Sequence, residues 1–255
     1  MKKPIFGTIG IMAIVIAAFG LPPFTGGPNP DYLKVENAAD FKTEVIRQAN
    51  GIYEVSALTP MPSVTPEMVR WWFADYMQTS EHYKRWHPDA HLWMDWENKV
   101  PGEYVGASHL VHEYIGKDLQ KLRIQFVPPE QILGNVQFRD DDVAVCALPG
   151  LLEKPLWGGK MCHIIRSTDD GAEMLSRFWL GMVAKRAGNE KVRSIEGVLG
   201  NTYLIRKLGV PKSDAIDLMN HATQEMSVLA EFLPGLLYTS PSPRDQRGSR
   251  MPSSA

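Results

Sequence analysis

The sequence predicts an α+β domain in which a curved antiparallel sheet wraps a long C-terminal helix, a helix-grip arrangement. Three observations carry that expectation. Between residues 104 and 180, apolar strand-like runs recur with Pro, Gly or Asp clusters between them. Asp169-Asp170-Gly171 separates the last two runs and has the composition of a tight hairpin turn, so runs adjacent in sequence should pair antiparallel. From Ser213 the pattern becomes helical, with Leu218, Met226, Leu229, Ala230 and Phe232 at helical spacing behind a Ser213-Asp214 capping signal.

Taken in order, residues 40–48 read as a short helix. Thr65-Pro66-Glu67 is a helix start, with Thr65 as N-cap and Pro66 in the first turn, where its missing N–H costs nothing. That helix is expected to pass through Met68, Trp71, Trp72 and Tyr76 towards Tyr83 and to end before Pro88. Residues 83–91 then turn from a helix end into a loop over the mouth of a cavity. Strands are expected over residues 104–115, 122–127, 143–148, 161–165 and 173–180. The chain returns to helix, breaks near Gly209-Val210-Pro211, and finishes in a helix from about 213 to 232.

The two ends differ from the rest. Lys2 and Lys3 precede an apolar run over residues 5–21, followed by a Pro/Gly linker over 21–30. As a helix the run reaches only about 25 Å, short of the roughly 30 Å hydrocarbon core. Ala18 and Gly20 supply small residues for cleavage after Gly20, so residues 1–20 are expected to be an export signal to the periplasm or medium. A membrane anchor formed by residues 5–21 is the alternative. At the other end, Leu236 through Asp245 resemble the translation of a transposon-end sequencing adapter, CTC TTA TAC ACA TCT CCG AGC CCA CGA GAC, residue for residue. Residues 236–255 are therefore set aside as an artefactual, disordered tail, which leaves residues 31–235 as one domain. Without the three arginines and one aspartate of that tail, the formal charge moves from −2 to −4. Such a balance excludes the basic footprint of a nucleic-acid binder. Cys146 and Cys162, the only cysteines, suit a disulfide or two buried thiols and cannot build a four-thiolate metal site.

The chemistry-bearing residues begin with His221 and Glu225. Four residues apart on a helix, an imidazole and a carboxylate project from one face and can occupy adjacent positions around a metal ion. A solvated surface pair is the competing reading. In the strand His109-Leu110-Val111-His112-Glu113-Tyr114-Ile115, alternation puts residues 109, 111, 113 and 115 on one face and His112 on the other. Glu113 thus shares the apolar side with Val111 and Ile115, where a carboxylate needs a partner or a metal unless the strand end lies in water. His91 is the better ligand candidate of the Trp86-His87-Pro88-Asp89-Ala90-His91 segment, and His87 beside Trp86 reads as structural. His163, between Cys162 and Ile164, reads by default as a hydrogen-bonded core residue, with a catalytic base as the alternative.

Met68 to Phe73, Tyr83 to His91, His112 to Gly116, Arg177 to Gly181, and His221-x-x-x-Glu225 ahead of Phe232-Leu233-Pro234 together resemble the metal-binding domain of the 2,4-diacetylphloroglucinol hydrolase family. The resemblance spans most of residues 65–234. It implies a helix-grip fold of the plant-allergen (Bet v 1-like, START-like) kind. It further implies Zn²⁺ held by His91, Glu113, His221 and Glu225, with Tyr83 and His163 as the family's pocket tyrosine and histidine. Met94 stands where the family has a pocket asparagine, and a second pocket tyrosine near Phe178 and Trp179 has no counterpart. The family's extra N-terminal portion has little room in this chain.

The function expected on these grounds is zinc-dependent hydrolysis of a C–C bond between an acyl group and a phenolic ring or similar stabilised carbanion. The substrate would be a small hydrophobic acyl-phenol. His163 and Tyr83 would protonate the ring or position its hydroxyls. Trp71, Trp72, Trp93, Met94 and Phe178 are the expected pocket residues, with helix-core packing the competing role for at least half of the aromatic ones. The rival readings are a non-catalytic carrier of hydrophobic ligands and a metalloenzyme of different chemistry, since two histidines and two carboxylates also suit Fe(II) or Mn(II).

Overall fold

The structure, a computed structural model, describes residues 41–239. The expected export signal, the Pro/Gly linker and residues 240–255 of the expected tail lie outside the described residues, whereas residues 236–239, expected to belong to a disordered tail, continue the last helix, with Leu236 buried in the core. Among the described residues, no helix is long and apolar enough to cross a membrane.

A nine-stranded antiparallel sheet forms the body, in the spatial order β1-β2-β8-β7-β6-β5-β4-β3, with β9 attached to β8. The strands are β1 (Glu44–Arg47), β2 (Tyr53–Pro62), β3 (His91–Glu97), β4 (Ser108–Ile115), β5 (Asp118–Val127), β6 (Val143–Leu151), β7 (Leu156–Thr168), β8 (Gly171–Ala187) and β9 (Glu190–Val192). Short helices α1 (Pro66–Trp71) and α2 (Ser80–Trp86) join β2 to β3, and α3 (Pro129–Leu133) follows β5. Helices α4 (Ile195–Gly200) and α5 (Tyr203–Gly209) lead into the long α6 (Lys212–Thr239), which packs chiefly on β2. This is the helix-grip arrangement that the strand runs and the C-terminal helix predict.

Several elements differ from expectation for identifiable reasons. The segment read as a helix over 40–48 contains the edge strand β1, whose Val45 and Ile46 pair with β2. β2 escapes pattern recognition because it carries Pro60 and Pro62. Both lie beyond the reach of β1, which ends opposite Ser56, so their missing N–H groups cost no bond on that side. Thr65 caps α1 as predicted, accepting from the Met68 N–H. The helix does not run on to Tyr83. It loosens into a π-helical turn over Trp72–Tyr76, and Thr79 caps a separate α2 by accepting from the His82 N–H. β3 begins at His91, where the expected loop ended, and adds a strand that the sequence reading did not include.

The sheet bends at register shifts between His91 and Trp93, Ala147 and Gly150, and Trp157 and Gly159. Two of these depend on glycine. A Cβ on Gly150 would collide with the Leu156 carbonyl oxygen, and one on Gly159 would lie 2.7 Å from that of Trp179. Within the curve, Trp72, Phe73, Met77 and Trp86 pack against Met226, Leu229 and Leu233 of α6. The other sheet face buries Ile164, Leu175 and Trp179 with α3, and there Cys146 and Cys162, Cα partners on β6 and β7, are joined in a disulfide.

Candidate metal centre

Local chemistry delivers each cluster residue. Pro88 excludes helix for the residue before it, and His87 accordingly sits at φ −146°, ψ 85°, ending α2. The ensuing turn, with the His91 N–H on the His87 carbonyl at 2.8 Å, brings His91 to the first position of β3. There it is the Cα partner of Glu113 on β4, whose alternation buries His109, Val111 and Glu113 together as predicted. His221 and Glu225 come from one face of α6, a turn apart.

The four side chains converge. His91 Nε2 lies 3.6 Å from Glu113 Oε2 and 3.5 Å from Glu225 Oε2. His221 Nε2 lies 3.8 Å from the same oxygen of each glutamate. All four residues are buried, and His91, Glu113 and His221 offer ligand atoms that all lie within 4.8 Å of one another. His91 Nδ1 is 2.9 Å from the Tyr83 carbonyl oxygen, which can only accept, so Nδ1 carries the hydrogen. Burial lowers the pKa of His91 and likewise of His221, favouring neutral rings. A neutral His91 then turns a bare Nε2 lone pair, buried and without a hydrogen-bond partner, towards two carboxylate oxygens. Burial also pushes the Glu225 carboxyl up to about 8, helped by the neighbouring Glu113. The residues fit a divalent metal.

Glu113, His221 and Glu225 of the cluster form part of the wall of a cavity of about 410 Å³, otherwise lined largely by apolar side chains such as Phe126, Met161 and Leu180. His163 faces it from β7, its Nδ1 2.7 Å from Ser176 Oγ and its ring edge-on to Phe178 at 5.5 Å. Burial lowers the pKa of His163 to about 4. Tyr83 also lines the cavity, and its hydroxyl donates to Glu113 Oε2. Burial, then the Glu113 charge, raise the Tyr83 pKa well above that of a free phenol.

Of the expected pocket residues, only Phe178 lines the cavity. Trp71 and Trp72 are core residues, with Trp72 packed on Tyr76, Trp86 and Phe232 at 5.5, 5.9 and 5.4 Å. Met94 is buried in the same core. Trp93 is 37% exposed and packs at a tilt against His112 on the outer face of the sheet. The reason is the bulge after His91, which sends both Leu92 and Trp93 outward where strict alternation would return Trp93 to the inner face. His87 packs its ring over His221 at 5.0 Å, so its structural role is played against the cluster as well as beside Trp86. His109, not singled out as a site residue, also borders the cavity. It stacks on Trp96 at 4.7 Å, and burial drives its pKa down to about 3. Its position two residues before Val111 on the Glu113 face was the signal that pointed to it.

Fold and site together define a helix-grip domain with a buried His–Glu–His group that could hold a metal ion beside an apolar cavity. The chain belongs to the DAPG hydrolase PhiG domain family, whose profile matches residues 32–238. It is 29% identical over 197 residues to 2,4-diacetylphloroglucinol hydrolase of Pseudomonas protegens, covering 69% of this chain and 61% of that protein. It is 28% identical over 207 residues to phloretin hydrolase of Eubacterium ramulus, covering 74% and 68%. The chain thus spans about three fifths of the length of the Pseudomonas relative. Among solved structures it is similar to ginseng major latex-like protein 151 from Panax ginseng, with TM-score 0.36, 13% identity and 67% and 97% coverage. Another similar structure is Ara h 8.0201, with TM-score 0.42, 9% identity and 72% and 97% coverage.

Proposed function

We propose that the protein is a zinc-dependent hydrolase that cleaves the C–C bond between an acyl group and a phenolic ring. The observation that carries this reading is the convergence of His91, Glu113, His221 and Glu225 on one point, three of them, Glu113, His221 and Glu225, lining an apolar cavity. Membership of a family whose relatives are named as hydrolases of 2,4-diacetylphloroglucinol and of phloretin supports it.

Those four residues would hold the zinc, which when bound supplies Lewis acidity for polarising an acyl carbonyl and acidifying water. The remaining work falls to the chain. Phe178 and its apolar neighbours bind the ring and exclude bulk water. Neutral His163, fixed through Ser176, presents its other ring nitrogen to a ring hydroxyl and can take up that proton. That proton, returned to the acyl-bearing ring carbon, gives the ring's keto form, whose carbonyl accepts the electron pair of the breaking bond. Water's oxygen ends on the acyl carbon as a carboxylic acid, and a hydrogen ends on the ring carbon.

Two measurements on one preparation test the proposal. The wild-type protein should hold about one zinc per chain and release carboxylic acid from acylphloroglucinols. The His221→Ala/Glu225→Ala double variant should lose both properties, because two of four donors are gone. Stoichiometric zinc in the double variant, or fully loaded wild type inert on a panel of acylphloroglucinols and β-diketones, refutes it.

A further inference from the structure

Tyr83 touches the cluster in three independent ways. Its hydroxyl donates to Glu113 Oε2, the oxygen that faces both His91 and His221. Its carbonyl oxygen receives His91 Nδ1 at 2.9 Å. Its ring lies flat on the His91 imidazole, with centroids 3.7 Å apart and planes within 6°. The ring is itself held edge-on by Trp86 at 6.1 Å and His109 at 5.1 Å. Thr79 caps the short helix that carries it.

We infer that Tyr83 is a positioning residue for the metal centre, its hydroxyl fixing the Glu113 carboxylate and its main chain and ring fixing His91. This rests on the metal-site reading given above. A carboxylate on a strand has rotamer freedom that metal binding must remove, and a phenol bonded to one of its oxygens removes it beforehand. An imidazole has two ring nitrogens and a free torsion. The Tyr83 carbonyl selects the tautomer that leaves Nε2 bare, and the stacked ring sets the torsion. Through Glu113 and His91, Tyr83 thus acts on the metal site from outside the donor set. The ligands of β3 and β4 are preorganised by one side chain from α2.

The test measures zinc affinity by competition with a chelating dye, at a temperature where circular dichroism shows every variant folded. Tyr83→Phe keeps the ring and the carbonyl and loses the hydroxyl. It should bind zinc about 10- to 100-fold more weakly than wild type, as outer-shell substitutions at metal sites do. Tyr83→Leu, which also loses the stack, should be weaker still. His112→Ala, on the outward face of the strand that carries Glu113, should match wild type. Tyr83→Phe binding as tightly as wild type, with only a lower melting temperature, overturns the inference and leaves the metal site standing. A wild-type chain that takes up no zinc overturns both.

Discussion

His163 offers a prediction in which the structure sets both sign and size. Its side chain is enclosed, bonded only through Nδ1 to Ser176 Oγ, and burial takes its pKa from 6.5 to about 4. The unfolded chain therefore binds a proton at His163 that the native state refuses. Stability from this group is intact above about pH 6.5, falls as pH drops through the window, and levels off below about pH 4. At about 1.4 kcal/mol per unit, the full loss is about 3 kcal/mol, and stopping at pH 4.5 realises about 2 kcal/mol of it. His163→Gln removes the titration. At pH 7 the variant should be less stable by about 1–2 kcal/mol, from an imperfect bond to Ser176 and poorer packing. Between pH 7 and 4.5 it should lose about 2 kcal/mol less than wild type. Urea unfolding of both proteins, stripped of metal with EDTA, at the two pH values isolates this difference. The other buried histidines titrate alike in both chains and cancel. Parallel losses in wild type and variant would refute the neutral, enclosed imidazole on which the proton-transfer role depends. A variant that keeps zinc and fold but turns over acylphenols about 10²- to 10⁴-fold more slowly would support that role.

His91→Ala should abolish zinc binding, whereas His87→Ala should keep the metal and lower thermal stability through the lost packing on His221 and Trp86; the reverse outcome assigns the wrong histidine. Gly150→Ala should cost about 1–3 kcal/mol, because its Cβ meets the Leu156 carbonyl and not a movable side chain; a melting curve like that of wild type would show that the bulge tolerates a side chain.

The sequence made some elements legible because local chemistry and final context agreed there. Thr65 caps the helix it announces, the Asp169-Asp170 turn joins β7 to β8, and strand alternation buries Glu113. The i,i+4 spacing of His221 and Glu225 needs only a helix to be meaningful. Where tertiary context dominates, sequence falls short. β1 is a strand because β2 lies beside it, and β3 is one because β4 does; neither partner is visible from within the segment. Trp71 and Trp72 carry the right residue type for a pocket wall, yet which side of a helix faces a cavity depends on what packs behind it. A single-residue bulge moved Trp93 from one side of the sheet to the other. His109 was readable from the same alternation as Glu113, which puts both on the buried face of β4.

The donors of the candidate centre are spread widely along the chain, from His91 and Glu113 on neighbouring strands to His221 and Glu225 on the last described helix. During synthesis the first two emerge well before their counterparts, and a pair of donors holds a divalent ion loosely. No competent centre can exist until α6 has cleared the ribosome and closed over the sheet. In the proposed zinc enzyme, metal capture would therefore wait for the completion of the domain, and a chain stopped before His221 would lack two of the four donors.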